Sequence, residues 1–234
     1  MDDPRIIVAL DCQSKNEALA LTAKLDPSLC RLKIGKELFT ATGPQLVEKL
    51  MYLGFEIFLD LKFHDIPNTV EKACIAATRL GVWMINVHAL GGKKMLLAAR
   101  KAIPAKKTRL IAVTLLTSMG PADLNDIGMN EAPGKIVQRL ALLARDCRLD
   151  GVVCSALETK QLRQLIPDNF YLITPGIRPI DCATNDQQRV TTPRQAIKNG
   201  SDYLVIGRPI TQANDPLLML QRLTEEINIQ SATP

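Results

Sequence analysis

The chain has 234 residues, 47% hydrophobic and 23% charged, a size close to the roughly 250 residues of one (β/α)8 barrel and a balance that excludes a disordered protein. Lys and Arg number 29 against 24 Asp and Glu; the net charge of +5 suits an anionic small molecule, and with only 4% aromatic residues there are no stacking platforms for nucleic acid. The apolar run Ile6 to Leu10 behind an acidic opening is too short for a signal-peptide core or a membrane span, which predicts a cytoplasmic protein with no membrane partner.

Short apolar runs alternate with helical patterns along the chain, as the βα units of a parallel sheet do. The first strand is predicted at Ile6 to Leu10 and ends on Asp11; Ser14-Lys15-Asn16-Glu17 then reads as a capping box that starts a helix. The second strand, Arg31 to Ile34, carries Lys33 between two apolar neighbours, and the third, Glu56 to Leu61, carries Asp60. A helix follows from Pro67, where a missing N–H costs nothing, with an apolar face at Val70, Ala73, Cys74, Ala77 and Leu80 and a stop at Gly81. The fourth strand is Trp83 to His88. The basic cluster Lys106, Lys107 and Arg109 reads as a solvated turn before a fifth strand, Leu110 to Leu115, that leads into Thr117 and Ser118. Gly151 to Cys154, Tyr171 to Thr174 and Tyr203 to Ile206 complete the set, with Ser155, Arg178 and the pair Gly207-Arg208 just past their ends. Thr192 to Gln195 and Gly200 bracket the helix before the last of them.

Eight units without a linker predict an α/β protein with a (β/α)8 TIM barrel, a single domain over residues 1–234. The competing fold, an open doubly wound sheet, should show a Gly-rich turn after its first strand, where this chain has Leu10-Asp11-Cys12-Gln13. The six cysteines lack zinc-site or disulfide-scaffold spacing and read as reduced, packed thiols; His64 and His88 have no metal-ligand spacing.

A parallel barrel puts its active site at the C-terminal ends of its strands. On the third strand Asp60 and Lys62 alternate with leucines and therefore share a face, which points into the barrel mouth if the leucines face the helices. Lys33 reaches the same mouth from the second strand and Asp65 follows on the loop, a set that alternates in sign and sums to zero. A purely structural ion-pair network is the bland alternative, although buried pairs are a poor source of stability. After the seventh and eighth strands, where barrels often hold phosphate, stand Thr174-Pro175-Gly176-Ile177-Arg178 and Ile206-Gly207-Arg208-Pro209. Arg supplies a bidentate fork and Gly207 allows close backbone approach to an anion.

The segment Phe58-Leu59-Asp60-Leu61-Lys62-Phe63-His64-Asp65-Ile66-Pro67-Asn68-Thr69-Val70 resembles the signature of the orotidine 5'-phosphate decarboxylase family, and the resemblance runs from the Asp11 strand to the Gly207-Arg208 strand. It implies decarboxylation of orotidine 5'-phosphate to UMP and CO2 in pyrimidine biosynthesis, without metal or cofactor. It further implies Lys62 as proton donor to C6, Asp60 beside the departing carboxylate, Lys33 as a bridge from Asp60 to the ribose, and Asp11 on the ribose hydroxyls. Asp65 and Thr69 are implied to reach the neighbouring site of a homodimer. Thr117 and Ser118 are implied on the pyrimidine side, Gln187 on the loop between the last two units, and Arg178, Gly207 and Arg208 near the phosphate. Two other functions compete: a metal-dependent sugar-phosphate lyase, which Lys33 disfavours by its charge, and a non-catalytic nucleotide-binding barrel, which would not need both Asp60 and Lys62.

Overall fold

A computed structural model describes residues 3–103, 108–179 and 191–228. Eight parallel strands close into a barrel in chain order: β1 (Ile6–Leu10), β2 (Cys30–Gly35), β3 (Ile57–Phe63), β4 (Met84–His88), β5 (Arg109–Val113), β6 (Gly151–Val153), β7 (Tyr171–Thr174) and β8 (Tyr203–Ile206). Closure is made by β1 against β8, with Ile6 opposite Leu204 and Val8 opposite Ile206. Each predicted strand is present. Among the described residues no helix is long and apolar enough to cross a membrane.

The alternation of side chains sorts the core into two parts. Val8, Leu32, Ile34, Ile57, Leu59, Ile85, Leu110 and Leu204 face outward into the layer beneath the helices. Ile7, Ala9, Phe58, Met84, Ile111, Ile173 and Val205 fill the barrel interior. At the end where the strands begin, the interior is closed by Trp83, Tyr171 and Tyr203. The Arg31 guanidinium lies 4.1 Å from the centre of the Trp83 ring, and that of Arg109 lies 5.0 Å from it. Arg31 also pairs with Glu56 at 2.7 Å and with Asp3, whose other oxygen accepts from the Tyr203 hydroxyl at 2.6 Å.

Arg109 corrects one expectation. It opens β5 and stacks over Trp83 and Tyr171 instead of sitting in a solvated turn, because strand alternation turns it into the barrel with Ile111. Its companions Lys106 and Lys107 lie outside the described residues.

The helix signals resolve as local hydrogen bonds. Ser14 Oγ accepts from the Glu17 N–H at 3.3 Å, and the Glu17 carboxylate reaches back one residue further than the expected box, accepting from the Gln13 N–H at 3.1 Å. The helix Pro67–Arg79 buries Val70, Cys74 and Ala77 as its spacing requires. Thr192 caps the helix Pro193–Lys198 by accepting from the Gln195 N–H at 3.2 Å. Cys30, Cys74, Cys147 and Cys154 are buried free thiols and Cys12 is a half-buried one; Cys182 lies outside the described residues.

Candidate active site

Ala9, Phe58, Val113, Val153 and Val205 form the apolar floor of a cavity of about 480 Å3 at the C-terminal mouth of the barrel. Its charged wall comes from the first three strands. The Lys62 ammonium donates to Asp60 Oδ1 at 2.6 Å, and the Lys33 ammonium stands 3.3 Å from Asp60 Oδ2. Lys33 also lies 3.8 Å from Asp11, so the charges run Asp11, Lys33, Asp60, Lys62 across neighbouring strands. The register explains why: Ala9 pairs with Lys33 and Lys33 with Phe58, one step below Asp11 and Asp60 on the same faces.

Asp60 is only 7% exposed, and burial alone would raise its pKa. The neighbouring charges of Lys33 and Lys62, with hydrogen bonds from Lys62 and Asn86, outweigh burial and hold it below the ordinary carboxylate value. The carboxylate is thus ionised at neutral pH and fixed on both oxygens. Lys62 itself has a left-handed backbone, φ +52°, at a point where β3 and β4 lose register between Leu59 and Phe63. Such a conformation costs an L-residue about 1–2 kcal/mol.

The opposite wall is built by the last strands. Pro175, Gly176, Arg178, Gly207 and Arg208 line it. Arg178 is buried; its backbone N–H donates to the Thr191 carbonyl at 3.0 Å, and the bridge between its neighbour Ile177 and Thr191 holds the backbone at this point. At Gly207 a side chain would meet Asp11 Oδ2 at 3.3 Å, so the glycine leaves room for that carboxylate as well as for a ligand.

Of the residues singled out in the sequence, Asp11, Lys33, Asp60, Lys62, Thr117, Arg178, Gly207 and Arg208 therefore converge on one cavity. Asp65, Thr69 and Ser118 are exposed and stand off its lining, and Gln187 lies outside the described residues. The Asp65 carboxylate accepts from its neighbour Ile66 N–H at 2.6 Å. Two contributors escape the sequence reading. Gln212, four residues past Arg208, lines the cavity, and Asn86 on β4 supports Asp60 from behind. An Asn inside a strand, where that residue is disfavoured, was the available signal for the second. His88 is pushed down to about 4 by burial and by His64, Lys62 and Lys36, and its ring centre lies 5.5 Å from that of His64.

A parallel barrel carrying an inward-facing Asp–Lys relay over an apolar floor, with two arginines across the mouth, defines a barrel enzyme for a small anionic substrate. The chain belongs to the orotidine 5'-phosphate decarboxylase / HUMPS family, whose model matches residues 4–223. It is 66% identical over 227 residues to an orotidine 5'-phosphate decarboxylase of Nitrosospira multiformis, covering 97% of this chain and 95% of the relative. A relative of that same description from Vibrio cholerae is 55% identical over 230 residues, covering 97% of this chain and 100% of its own length. The crystal structure of orotidine 5'-phosphate decarboxylase from Lactobacillus acidophilus superposes with a TM-score of 0.86 at 39% identity, covering 97% of this chain and 100% of that one.

Proposed function

We propose that this protein converts orotidine 5'-phosphate to UMP and CO2 in pyrimidine biosynthesis, as a single-domain cytoplasmic enzyme that works as a homodimer. The observation that carries the reading is the Lys33–Asp60–Lys62 relay at one edge of an apolar cavity, with Arg178 and Arg208 on its far side.

In this reading the pyrimidine rests on the apolar floor with its carboxylate toward Asp60. Two carboxylates about 4 Å apart repel by about 4 kcal/mol at an effective dielectric near 20, and the repulsion disappears when neutral CO2 leaves. The C6–carboxyl bond breaks and its electron pair stays on C6. The Lys62 ammonium stabilises that charge and donates its proton to C6, giving UMP; the neutral amine then regains a proton from solvent. Lys33 holds Asp60 in place and extends to the ribose, and Asp11 accepts from ribose hydroxyls. Thr117, with Ser118 beyond it, attends the pyrimidine edge. Arg178, Arg208, the Gly207 backbone and Gln187 take the phosphate, whose binding energy is used at the transition state. Asp65 and Thr69, exposed in the single chain, complete the partner's site.

The direct test is loss of orotidine 5'-phosphate absorbance in the ultraviolet on mixing with the purified protein, repeated after EDTA treatment. Unchanged turnover after chelation is expected, since the fixed cations are lysines; abolition by EDTA would favour the metal-dependent lyase. Arg208→Ala should raise KM for the nucleotide by roughly 10²-fold, the worth of a charge-assisted bidentate contact. The same variant should scarcely affect the slow reaction of the nucleoside that lacks phosphate, and equal losses on both substrates would remove Arg208 from the phosphate site.

A further inference from the structure

One polar side chain at the barrel mouth never reaches the cavity. Asn86, fully buried on β4, is held between two points of β3. Its Oδ1 accepts from the Lys62 backbone N–H at 2.8 Å, and its Nδ2 donates to Asp60 Oδ1 at 2.6 Å. Those partners admit one orientation of the amide, because the N–H needs an acceptor and the carboxylate needs a donor. The two strands fall out of step at this point: Leu59 pairs with Ile85 and Phe63 with Val87, so β3 advances by more residues than β4 over the same stretch. Lys62 sits within the irregularity at φ +52°. A left-handed Lys persists only where its surroundings over-determine it, and its N–H, lost to the regular ladder, is taken up by Asn86 instead.

We propose that Asn86 is a positioning residue for the reaction: one amide fixes the Asp60 carboxylate and the Lys62 backbone together and so sets where the Lys62 ammonium points. The proposal rests on the decarboxylase reading for its kinetic consequence, though not for its structural one.

In Asn86→Ala both bonds are lost. A misaim of the ammonium by about 1 Å should lower kcat by roughly 10²-fold, while KM and the Kd of UMP stay within about threefold, because Asn86 lines no part of the cavity. Asn86→Asp has the same size and keeps the acceptor for Lys62, but replaces the donor to Asp60 by a second carboxylate. The groups around Asp60 are Lys33 from β2, Lys62 from its own strand and, from β4, Asn86 and the imidazole of His88, which burial and the nearby cations push down to about 4, with Asp11 of the β1 end beyond Lys33. Removing a donor to the carboxylate in the first variant should move the acid limb of the kcat profile to higher pH, and the added like charge in the second should move it further.

The pH profiles, kcat, KM and UMP affinity would be measured for both variants beside the parent, with thermal unfolding as a check on folding and a crystal structure of Asn86→Ala. Loss of kcat at preserved affinity, an acid limb moved upward and a Lys62 backbone displaced from its left-handed conformation are the expected results. Folded variants with kcat within threefold of the parent would overturn the proposal. So would kcat and affinity declining in step, or Lys62 retaining its φ and its contact to Asp60 in the Asn86→Ala crystal. Failure of both variants to fold would also count against it, assigning Asn86 to barrel stability. A parent protein without turnover would sink the decarboxylase reading alone, since the Lys62 backbone in the variant crystal still decides the positioning.

Discussion

Lys62→Ala is expected to fold, to bind UMP within about tenfold of the parent and to lose kcat by roughly 10⁴-fold or more, because proton donor and counter-charge to C6 disappear together. Folding should survive since Asp60 keeps Lys33 at 3.3 Å and the Asn86 amide at 2.6 Å, so no buried charge is orphaned. Stopped assays of orotidine 5'-phosphate loss give kcat and calorimetry with UMP gives affinity. A kcat near that of the parent would take the proton-transfer role away from Lys62.

The second large effect concerns the proposed dimer. Asp65 is exposed, bonded to its own Ile66 N–H and absent from its own cavity wall, an arrangement compatible with the role the proposed dimer gives its carboxylate in the partner's site. Lys62→Ala and Asp65→Ala should each be nearly inactive alone. In a mixed dimer one site carries both changes and the other carries neither, so equal amounts re-associated at random should recover roughly a quarter of parental sites. Native mass spectrometry establishes whether mixed dimers form. Mixed dimers with no recovered activity would mean that each chain completes its own site.

The legibility of these features in the sequence followed their physical range. Strand alternation is local, so residue spacing within each strand suffices to turn Lys33, Asp60 and Lys62 toward one mouth. Their mutual distances rest on register between strands, which no single segment encodes. Asn86 is illegible in the sequence for that reason: its role depends on an irregular stretch of β3 against β4, where Lys62 gives its N–H to a side chain. Arg109 escapes a local reading because a Lys-Lys-Thr-Arg run resembles a solvated turn until the rings of Trp83 and Tyr171 are set beside it. The Ser14 cap was legible because Ser14 and Glu17 act within one turn of helix, although Glu17 took the Gln13 N–H in place of its expected partner.

The aromatic and arginine seal where the strands begin carries a practical corollary. It contains the chain's one tryptophan, Trp83, 7% exposed beneath two guanidinium groups at the end of the barrel remote from Lys62. Excited at the red edge, where the three tyrosines do not absorb, this protein emits from a single reporter placed away from the mouth, which is expected to register opening of the barrel at that end. A variant that loses turnover while this emission keeps the parent's spectrum and unfolding transition has therefore kept the seal around Trp83 closed, and its defect lies nearer the mouth.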